Sequence, residues 1–481
     1  MSDLAFKPAT ELAGLISKKE LGARELLYHY VARIERHNRA LNAIVVSDLE
    51  AARARAEEAD AATARGETWG PLHGLPMTIK DAFEVAGMVS SGGAVALKDH
   101  VPQSDADPVE RLRAAGAILL GKTNVPAYSG DWQSYNDLYG RTNNPWDLER
   151  TPGGSSGGAV AALSAGLVAA EIGSDIGGSI RVPANFCGLY GHKPSFAIVS
   201  PRGHIPPAPW GRGVADLSVS GPFGRNVADL KLLLDVMAGP DPADKAVQIR
   251  LPPARAPKRI AVWADDPFAP VDAQIEGAVE TAARALEHAG CELDYEARPD
   301  FAFEASHATY LTILSSIIST DWTPETLDFM REHAASAPQD ASDDLTHQAR
   351  GTVLTYGAYL GLNIKREALK AKWVEFFAGY DGVLCPVTAV PAFAHDTQRR
   401  VPDRRIVVNG EERPYMELLR WAGLATVCHL PATAVPVGLS QDGLPLGVQI
   451  IGPPQEDLTP LAIAALLEAE LDGLAPPPGF M

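Results

Sequence analysis

Two glycine-rich segments of the chain carry serines in a setting suited to nucleophilic catalysis. The first reads Gly-Gly-Ser-Ser-Gly-Gly over residues 153–158, and its two hydroxyls belong to Ser155 and Ser156. Glycines permit close backbone approach and unusual backbone angles, so such a turn can hold a side chain against a bound molecule. A solvated turn that caps a helix explains the same residues equally well, and this segment alone does not decide between the two interpretations.

The second segment, residues 174–181, reads Ser-Asp-Ile-Gly-Gly-Ser-Ile-Arg. No side chain shields the peptide N–H groups at Gly177 and Gly178, just before Ser179. Such groups suit an oxyanion hole, in which one donor contributes about 2.7–4 kcal/mol of transition-state stabilisation. A helix and a short strand between the two segments would return the chain and place Ser179 beside Ser155. A glycine turn with a capping serine is the simpler interpretation of this segment.

A lysine can supply the base that these serines need. Lys80 ends the apolar run Met77-Thr78-Ile79 and is followed by Asp81. Burial lowers the pKa of a lysine, and its neutral amine is a general base. Serine–lysine variants of the catalytic triad need no histidine, and neither serine segment contains one. Taken alone, Lys80 is more simply a strand-end lysine that is solvated or paired with Asp81.

Taken together, these segments resemble the amidase signature family. The likeness rests on PLHGLPMTIKD at 71–81, GKTN at 121–124, GGSSGG at 153–158, SDIGGSIRVPANFCGLYGHKP at 174–194 and GPFGRNVADL at 221–230. Motifs of this length in this order are highly specific. They cover about residues 70–240 strongly and most of the remaining chain in outline.

The resemblance implies roles for individual residues. It implies Lys80 as the base, Ser155 as a bridging serine that follows a cis peptide bond, and Ser179 as the nucleophile that forms the acyl-enzyme. The implied oxyanion hole consists of the backbone N–H groups of Ile176, Gly177, Gly178 and Ser179. The implied supporting residues are Ser156, Asp175 and Arg181, and the implied substrate-lining residues are Ser129 and Ser155. We expect Asp175 and Arg181 to form a buried ion pair.

The implied activity is hydrolysis of a carboxylic amide without metal or cofactor, with esters and carbamates as side substrates. The segments 128–137, 203–213 and 302–330 are predicted to select the substrate, which we expect to be a hydrophobic or aryl amide. Four aromatic residues are candidates either for its pocket or for the core: Trp132, Trp210, Tyr310 and Trp322. The family also contains the amide-hydrolysing subunits of tRNA-dependent amidotransferases. In those proteins the segment that corresponds to residues 175–179 resembles DTGGS, whereas this chain has Ile176 at the threonine position.

Two further patterns are weaker. Residues 116–123, GAILLGKT, match the P-loop consensus, but the would-be phosphate loop is an apolar run and a proline follows at position 126.

Residues 153–157 fit GxSxG, which would make Ser155 the nucleophile of an α/β-hydrolase-type esterase with a later histidine such as His395 or His429. That motif should follow a strand, and the preceding NNPWDLERTPG is polar and contains prolines. A protein that keeps the fold but has lost the chemistry is disfavoured, because competent residues occupy all three catalytic positions.

Charge and composition limit the partners. The net charge is −18, with 60 acidic and 42 basic residues, which argues against nucleic acid and anionic membranes as main partners. The N-terminal residues lack a secretory pattern and no run of eighteen apolar residues occurs, so we expect a cytoplasmic protein. A homodimer is left open. The cysteines at 187, 291, 385 and 428 are expected to be buried free thiols, and no metal-binding pattern is present.

Short apolar strands that alternate with helices predict an α/β fold, with a large central mixed β-sheet flanked by helices on both faces. We expect a single domain over 1–481. It comprises a helical segment at 1–70 with a capping box at 47–50, the catalytic core at 71–240, and an α/β remainder at 241–481 after a proline-rich link at 252–257. Strands are predicted at 76–80, 117–121, 168–176, 259–264, 383–387, 432–438 and 447–452. Helices are predicted at 107–115, 158–170, 272–289, through most of 302–378 and at 457–471, with Asn226 capping another that reaches residue 238.

Overall fold

A computed structural model describes residues 4–211, 213–241 and 248–481 of the chain. Arg212, in the predicted selector segment 203–213, lies outside the described residues. The helices are α1 (Ala9–Ser17), α2 (Ala23–Leu41), α3 (Leu49–Arg65), α4 (Asp107–Ala114), α5 (Gly157–Ser164), α6 (Arg181–Cys187), α7 (Val227–Met237), α8 (Ala273–His288), α9 (Phe303–Ile318), α10 (Pro324–Ser336), α11 (Asp344–Thr352), α12 (Tyr356–Phe376), α13 (Leu419–Thr426) and α14 (Leu458–Glu470). The strands are β1 (Ile44–Ser47), β2 (Pro76–Lys80), β3 (Ile118–Thr123), β4 (Tyr135–Asn136), β5 (Gly140–Arg141), β6 (Glu171–Asp175), β7 (Tyr190–Lys193), β8 (Val219–Gly224), β9 (Arg259–Val262), β10 (Glu292–Asp294), β11 (Gly382–Pro386), β12 (Arg405–Val408), β13 (Glu411–Pro414), β14 (Ala432–Leu439) and β15 (Pro445–Ile451).

The main sheet has eight strands in the order β10-β9-β11-β15-β14-β7-β8-β6. Strand β9 runs parallel to both of its neighbours, and the remaining pairs are antiparallel. Every residue of β6, β8, β11 and β15 is buried, as expected for strands that are covered on both faces. Helices α6, α7, α8 and α14 pack against this sheet. The predicted α/β fold with a large mixed sheet is therefore confirmed, and strands from both sides of the link at 252–257 belong to it.

Strand β2, which carries Lys80, lies outside the large sheet. It belongs to a three-stranded sheet of order β1-β3-β2, in which Lys80 is the register partner of Thr123 on the parallel strand β3. A parallel bridge between Met77 and Ala170 aligns β2 with the start of β6. The two sheets therefore meet where Lys80 and the segment that begins at Ser174 come together.

Local sequence signals explain several boundaries. The N-cap of α3 is Asp48, whose carboxylate accepts a hydrogen bond from the Ala51 N–H, so the capping box begun by Ser47 was a wrong prediction. The reason is that Ser47 ends strand β1, a β-branched run inside the segment that was predicted to be helical. Asn226 caps α7 as predicted, by accepting from the Asp229 N–H at 2.8 Å.

Helix α5 is shorter than its prediction of 158–170. It ends at Ser164, and Gly166 follows in a left-handed conformation with φ of 66°. Strand β6 therefore begins at Glu171 rather than at residue 168. The four cysteines are buried free thiols, as predicted. Among the helices of the described residues, none has both the length and the apolar character needed to cross a bilayer.

Candidate active site

Lys80 is fully buried and its ammonium nitrogen is held by two hydroxyls. Its Nζ lies 2.7 Å from Ser155 Oγ and 2.9 Å from Ser174 Oγ. Burial lowers the pKa of Lys80 to about 7, and the nearby carboxyl groups of Asp175 and Glu171 limit this fall. Lys80 is therefore a lysine that holds its proton weakly near neutral pH and shares a hydrogen bond with the predicted bridging serine.

The GGSSGG segment forms a buried turn that leads into α5. Ser155 and Ser156 are both inaccessible to solvent, so the solvated-turn interpretation does not hold. The peptide bond between Gly154 and Ser155 is cis. Glycine is required at position 154, because a Cβ there would lie 2.5 Å from the Asp131 carbonyl oxygen. The close fit between the turn and the 131–133 backbone fixes Ser155 against Lys80.

Ser179 lies on the turn between β6 and α6. It is 6% exposed and follows Gly178, whose φ of 96° suits glycine alone. Within the described residues the Ser179 hydroxyl forms no hydrogen bond, and its proton transfer to Ser155 stays a prediction. The structure thus joins Lys80 to Ser155 directly and places Ser179 on the turn that leaves the Ser174 strand.

The predicted oxyanion segment is held from outside by two aromatic side chains. Tyr310 Oη, on α9, donates to the Ile176 carbonyl at 2.8 Å, and Trp132 Nε1 donates to the Gly177 carbonyl at 2.8 Å. Because a carbonyl and the next N–H point in opposite directions across a trans peptide, these two bonds set the directions of the Gly177 and Gly178 N–H groups. Both aromatic residues were predicted only as pocket or core candidates.

Asp175 and Arg181 form the expected ion pair beneath this segment. Arg181 donates to both carboxylate oxygens of Asp175, from Nη2 at 3.0 Å and from Nε at 3.1 Å, and both side chains are fully buried. Burial raises the pKa of Asp175, but the Arg181 charge and hydrogen bonds outweigh it and bring the pKa to about 2. Asp175 also accepts from the Gly178 N–H at 2.9 Å and the Ile180 N–H at 3.1 Å.

One of the four N–H groups predicted for the oxyanion hole, that of Gly178, already forms a hydrogen bond within the protein. This N–H points to Asp175, whereas the N–H groups of Ile176, Gly177 and Ser179 donate to no protein acceptor within the described part of the chain. These three donors are therefore available to a bound oxygen. The Gly178 N–H instead ties the turn to the Asp175 carboxylate.

Two predicted positions have unpartnered hydroxyls. The Oγ atoms of Ser156 and Ser129 are buried and have no hydrogen-bond partner among the described residues. A Cβ at Gly173 would lie 2.7 Å from Ser156 Oγ, so this hydroxyl faces strand β6. Ser129 has a left-handed backbone with φ of 60° in the loop after β3. The hydrogen bonds of Lys80 go to Ser155 and Ser174 rather than to either of these positions.

Sequence reasoning missed Ser174 and His204 as parts of the site. Ser174 was inside the quoted motif, and its position five residues before Ser179 on a strand was the available signal. His204 Nε2 lies 2.7 Å from Ser174 Oγ, although it was placed only in a selector segment. No local pattern around residue 204 indicates that contact, because it is made across 30 residues of chain.

The P-loop and GxSxG interpretations do not fit the structure. Lys122 of the P-loop match is buried in β3 and bonds to Asp81 at 3.0 Å, so this segment is a strand and not a phosphate loop. His429 pairs with Asp216 at 2.8 Å and stacks on Phe196, while Ser155 is bonded to Lys80. The stretch 142–152, which is described throughout, contains turns and no strand, and this is the wrong context for a GxSxG nucleophile.

The surroundings of Gly177 are apolar and aromatic. A Cβ at this position would lie 3.1 Å from the Leu419 side chain, 3.4 Å from Tyr310 Oη and 4.0 Å from the Trp132 ring. Trp210, in contrast, is 64% exposed. A separate cavity of about 400 Å³ lies along the selector segment 128–137, and the residues around Lys80 do not line it.

The mixed sheet and the buried lysine–serine pair define this molecule as an α/β protein with a serine-and-lysine site. The Amidase family model matches residues 25–461, and the chain belongs to this amidase signature family. Similar proteins include a glutamyl-tRNA(Gln) amidotransferase subunit of Bdellovibrio bacteriovorus, 30% identical over 97% of both chains, and a Mycobacterium tuberculosis relative named as the putative amidase AmiB2, 34% identical over 97% of both. The solved structure of a bacterial aryl acylamidase is 27% identical with a TM-score of 0.78, covering 97% of this chain and 96% of that one.

Proposed function

We propose that the protein hydrolyses carboxylic amides through an acyl-enzyme on Ser179. The observation that carries the proposal is the fully buried Lys80, bonded to Ser155 at 2.7 Å with its pKa lowered to about 7. An amine in this state accepts a proton near neutral pH, and a hydroxyl beside it is the natural relay to a second serine.

The proposed reaction has two halves. Ser155 gives its proton to the neutral Lys80 and takes one from Ser179, whose oxygen forms a bond to the substrate carbonyl carbon. The carbonyl oxygen gains the electron pair and is held by the free N–H groups of the 176–179 turn. Collapse breaks the C–N bond, and the proton returns through Ser155 to the leaving nitrogen. Water then attacks the ester on Ser179 by the same relay and releases the acid.

We propose hydrophobic or aryl amides as the substrate class, with esters and carbamates as side substrates. Leu419, Tyr310 and Trp132 surround Gly177, and they make the surroundings of the proposed oxyanion turn apolar and aromatic. The similar structure named as an aryl acylamidase supports the same class.

The test is to trap the acyl-enzyme. The protein is quenched during turnover of an aryl ester and of an anilide, digested, and mapped by mass spectrometry. Wild type should carry the acyl group on Ser179, Ser179→Ala should carry none, and its kcat should fall about 10⁴-fold or more. An acyl group on Ser155, or full activity of Ser179→Ala, would overturn the proposal.

A second candidate function follows from the relatives named as glutamyl-tRNA(Gln) amidotransferase subunits. In this case the chain would release ammonia from an amide donor only within a complex. The two candidates separate when the purified chain is assayed alone against glutamine, anilides and aliphatic amides. Hydrolysis of anilides at many turnovers supports the stand-alone amidase. A chain that is idle alone and becomes active on glutamine with partner proteins supports the second candidate.

A further inference from the structure

His204 lies beside the stretch of chain that follows Lys80, where it pairs with Phe83 in an antiparallel bridge. Its segment pairs with the chain just after β2: the Glu84 N–H donates to the Gly203 carbonyl at 2.9 Å, and the Ile205 N–H donates to the Ala82 carbonyl at 2.7 Å. The His204 ring packs edge-on against Phe83 with a centroid separation of 5.1 Å. The ring is thus fastened to the stretch of backbone that directly follows Lys80.

The hydrogen bonds around His204 have a defined direction. Its Nδ1 lies 2.8 Å from the Pro206 carbonyl oxygen, which can only accept, so Nδ1 carries the proton. Burial, with the Lys80 charge beside it, lowers the pKa of His204 to about 4, so the ring is neutral at pH 7. Nε2 is then an acceptor, and the Ser174 hydroxyl must donate to it across 2.7 Å.

This direction determines what Ser174 can do for Lys80. Because the Ser174 hydroxyl donates its hydrogen bond to His204, the Ser174 oxygen can only accept further hydrogen bonds. It therefore accepts an N–H from Lys80 at 2.9 Å. The lone pair of the neutral amine stays free to accept the proton of Ser155 at 2.7 Å. Without an acceptor at His204, the Ser174 hydroxyl could turn and donate to that lone pair, in competition with Ser155.

We propose that His204 is a positioning residue which, through Ser174, keeps the lone pair of Lys80 directed at Ser155. This inference rests on the proposed function, in which Lys80 is the base. His204 acts on the reacting atoms only through the Ser174 hydroxyl. Among the described residues, the charged groups that act on Lys80 are Asp175 and Glu171 from β6, and the charge that acts on His204 is that of Lys80.

The experiment compares kcat, KM and the acid limb of the pH profile in H204F, H204Q and S174A, with anilide as substrate. H204F lacks the acceptor, and we expect kcat to fall about 10- to 100-fold while KM changes less than twofold. The acid limb of kcat should move to lower pH by about half a unit, because a Ser174 hydroxyl that donates to Lys80 favours the neutral amine. H204Q keeps an acceptor oxygen and should retain kcat within about threefold.

A double-mutant cycle tests the route through Ser174. If His204 acts only through this hydroxyl, H204F in the S174A background should change kcat less than twofold. H204L replaces H204F in the cycle if the phenylalanine variant does not fold. Effects of H204F and S174A that multiply, an acid limb that does not move, or an H204Q variant as slow as H204F would each overturn the proposal.

A matched control separates this role from loss of folding. His192 is fully buried, and its ring nitrogens are bonded to Thr433 and Asp457 rather than to Lys80 or Ser174. H192F should lower the melting temperature while leaving kcat per folded molecule and the acid limb unchanged. Wild type that forms no acyl-enzyme on Ser179 would refute the proposed function, whereas normal acylation with an unchanged H204F refutes only the role of His204.

Discussion

Two neighbouring strands carry buried lysines at or near their ends, and these lysines differ in the groups that bind their amines. Lys122 of β3 donates to the Asp81 carboxylate at 3.0 Å, the Phe83 carbonyl at 2.7 Å and Ser90 Oγ at 2.9 Å. The Nζ of Lys80 on β2 lies within hydrogen-bond distance of the Ser155 and Ser174 hydroxyls and, among the described residues, forms no ion pair with a carboxylate. Burial lowers the pKa of both lysines.

This comparison shows how two residues of one type take different roles on adjacent strands. A direct ion pair and two further acceptors hold the proton on Lys122, which suits a structural cation. Two hydroxyls stabilise the charged amine of Lys80 less, so that amine can cycle between its two states. Partner chemistry, more than burial, therefore distinguishes the candidate base from the structural lysine.

The largest expected effect is on chemistry at Lys80. Lys80→Met should lower kcat about 10²- to 10⁴-fold, because the proposed general base is lost. The melting temperature should stay the same or rise, since an apolar side chain replaces a buried amine. Steady-state kinetics and calorimetry on the same preparation measure both quantities. A Lys80→Met variant that keeps wild-type kcat would end the assignment of Lys80 as base.

The next effect is on stability at Lys122. Lys122→Met leaves Asp81 buried and without its ion-pair partner, and should lower the free energy of unfolding by about 3–5 kcal/mol. Denaturant titration measures this loss, and kcat per folded molecule should change little. The double variant Asp81→Asn with Lys122→Met should recover part of the stability, because no lone charge remains. Loss of kcat without loss of stability would reverse the roles of the two lysines.

A smaller effect is expected where Tyr310 of α9 bonds to the proposed oxyanion turn. Tyr310→Phe removes one hydrogen bond to the Ile176 carbonyl and should lower kcat about threefold to tenfold, equivalent to about 0.5–1.5 kcal/mol. KM for anilides should change little, since the ring remains. Kinetics of Tyr310→Phe beside Tyr310→Leu separate the hydroxyl from the ring. An equal loss of kcat in both variants supports the hydroxyl, and a wild-type kcat in Tyr310→Phe contradicts it.

The sequence was most informative where the chemistry is local. The bounds of β2 and the Asp175–Arg181 pair followed from short runs of residues, and the structure has both. The link from His204 to Ser174 could not be predicted, because it depends on backbone pairing between residues 82–84 and 203–205. The same holds for Tyr310, whose hydroxyl reaches Ile176 across 134 residues of chain.

The central claim is that the neutral amine of Lys80, acting through Ser155, activates Ser179. Its most direct test is the rate of labelling by a fluorophosphonate between about pH 5 and 9, with the modified serine mapped. We expect the label on Ser179, with a rate that falls below an apparent pKa of about 7 as Lys80 becomes charged, and that is nearly lost in Lys80→Met. A rate that is flat across this range, or a label on Ser155, would contradict the account.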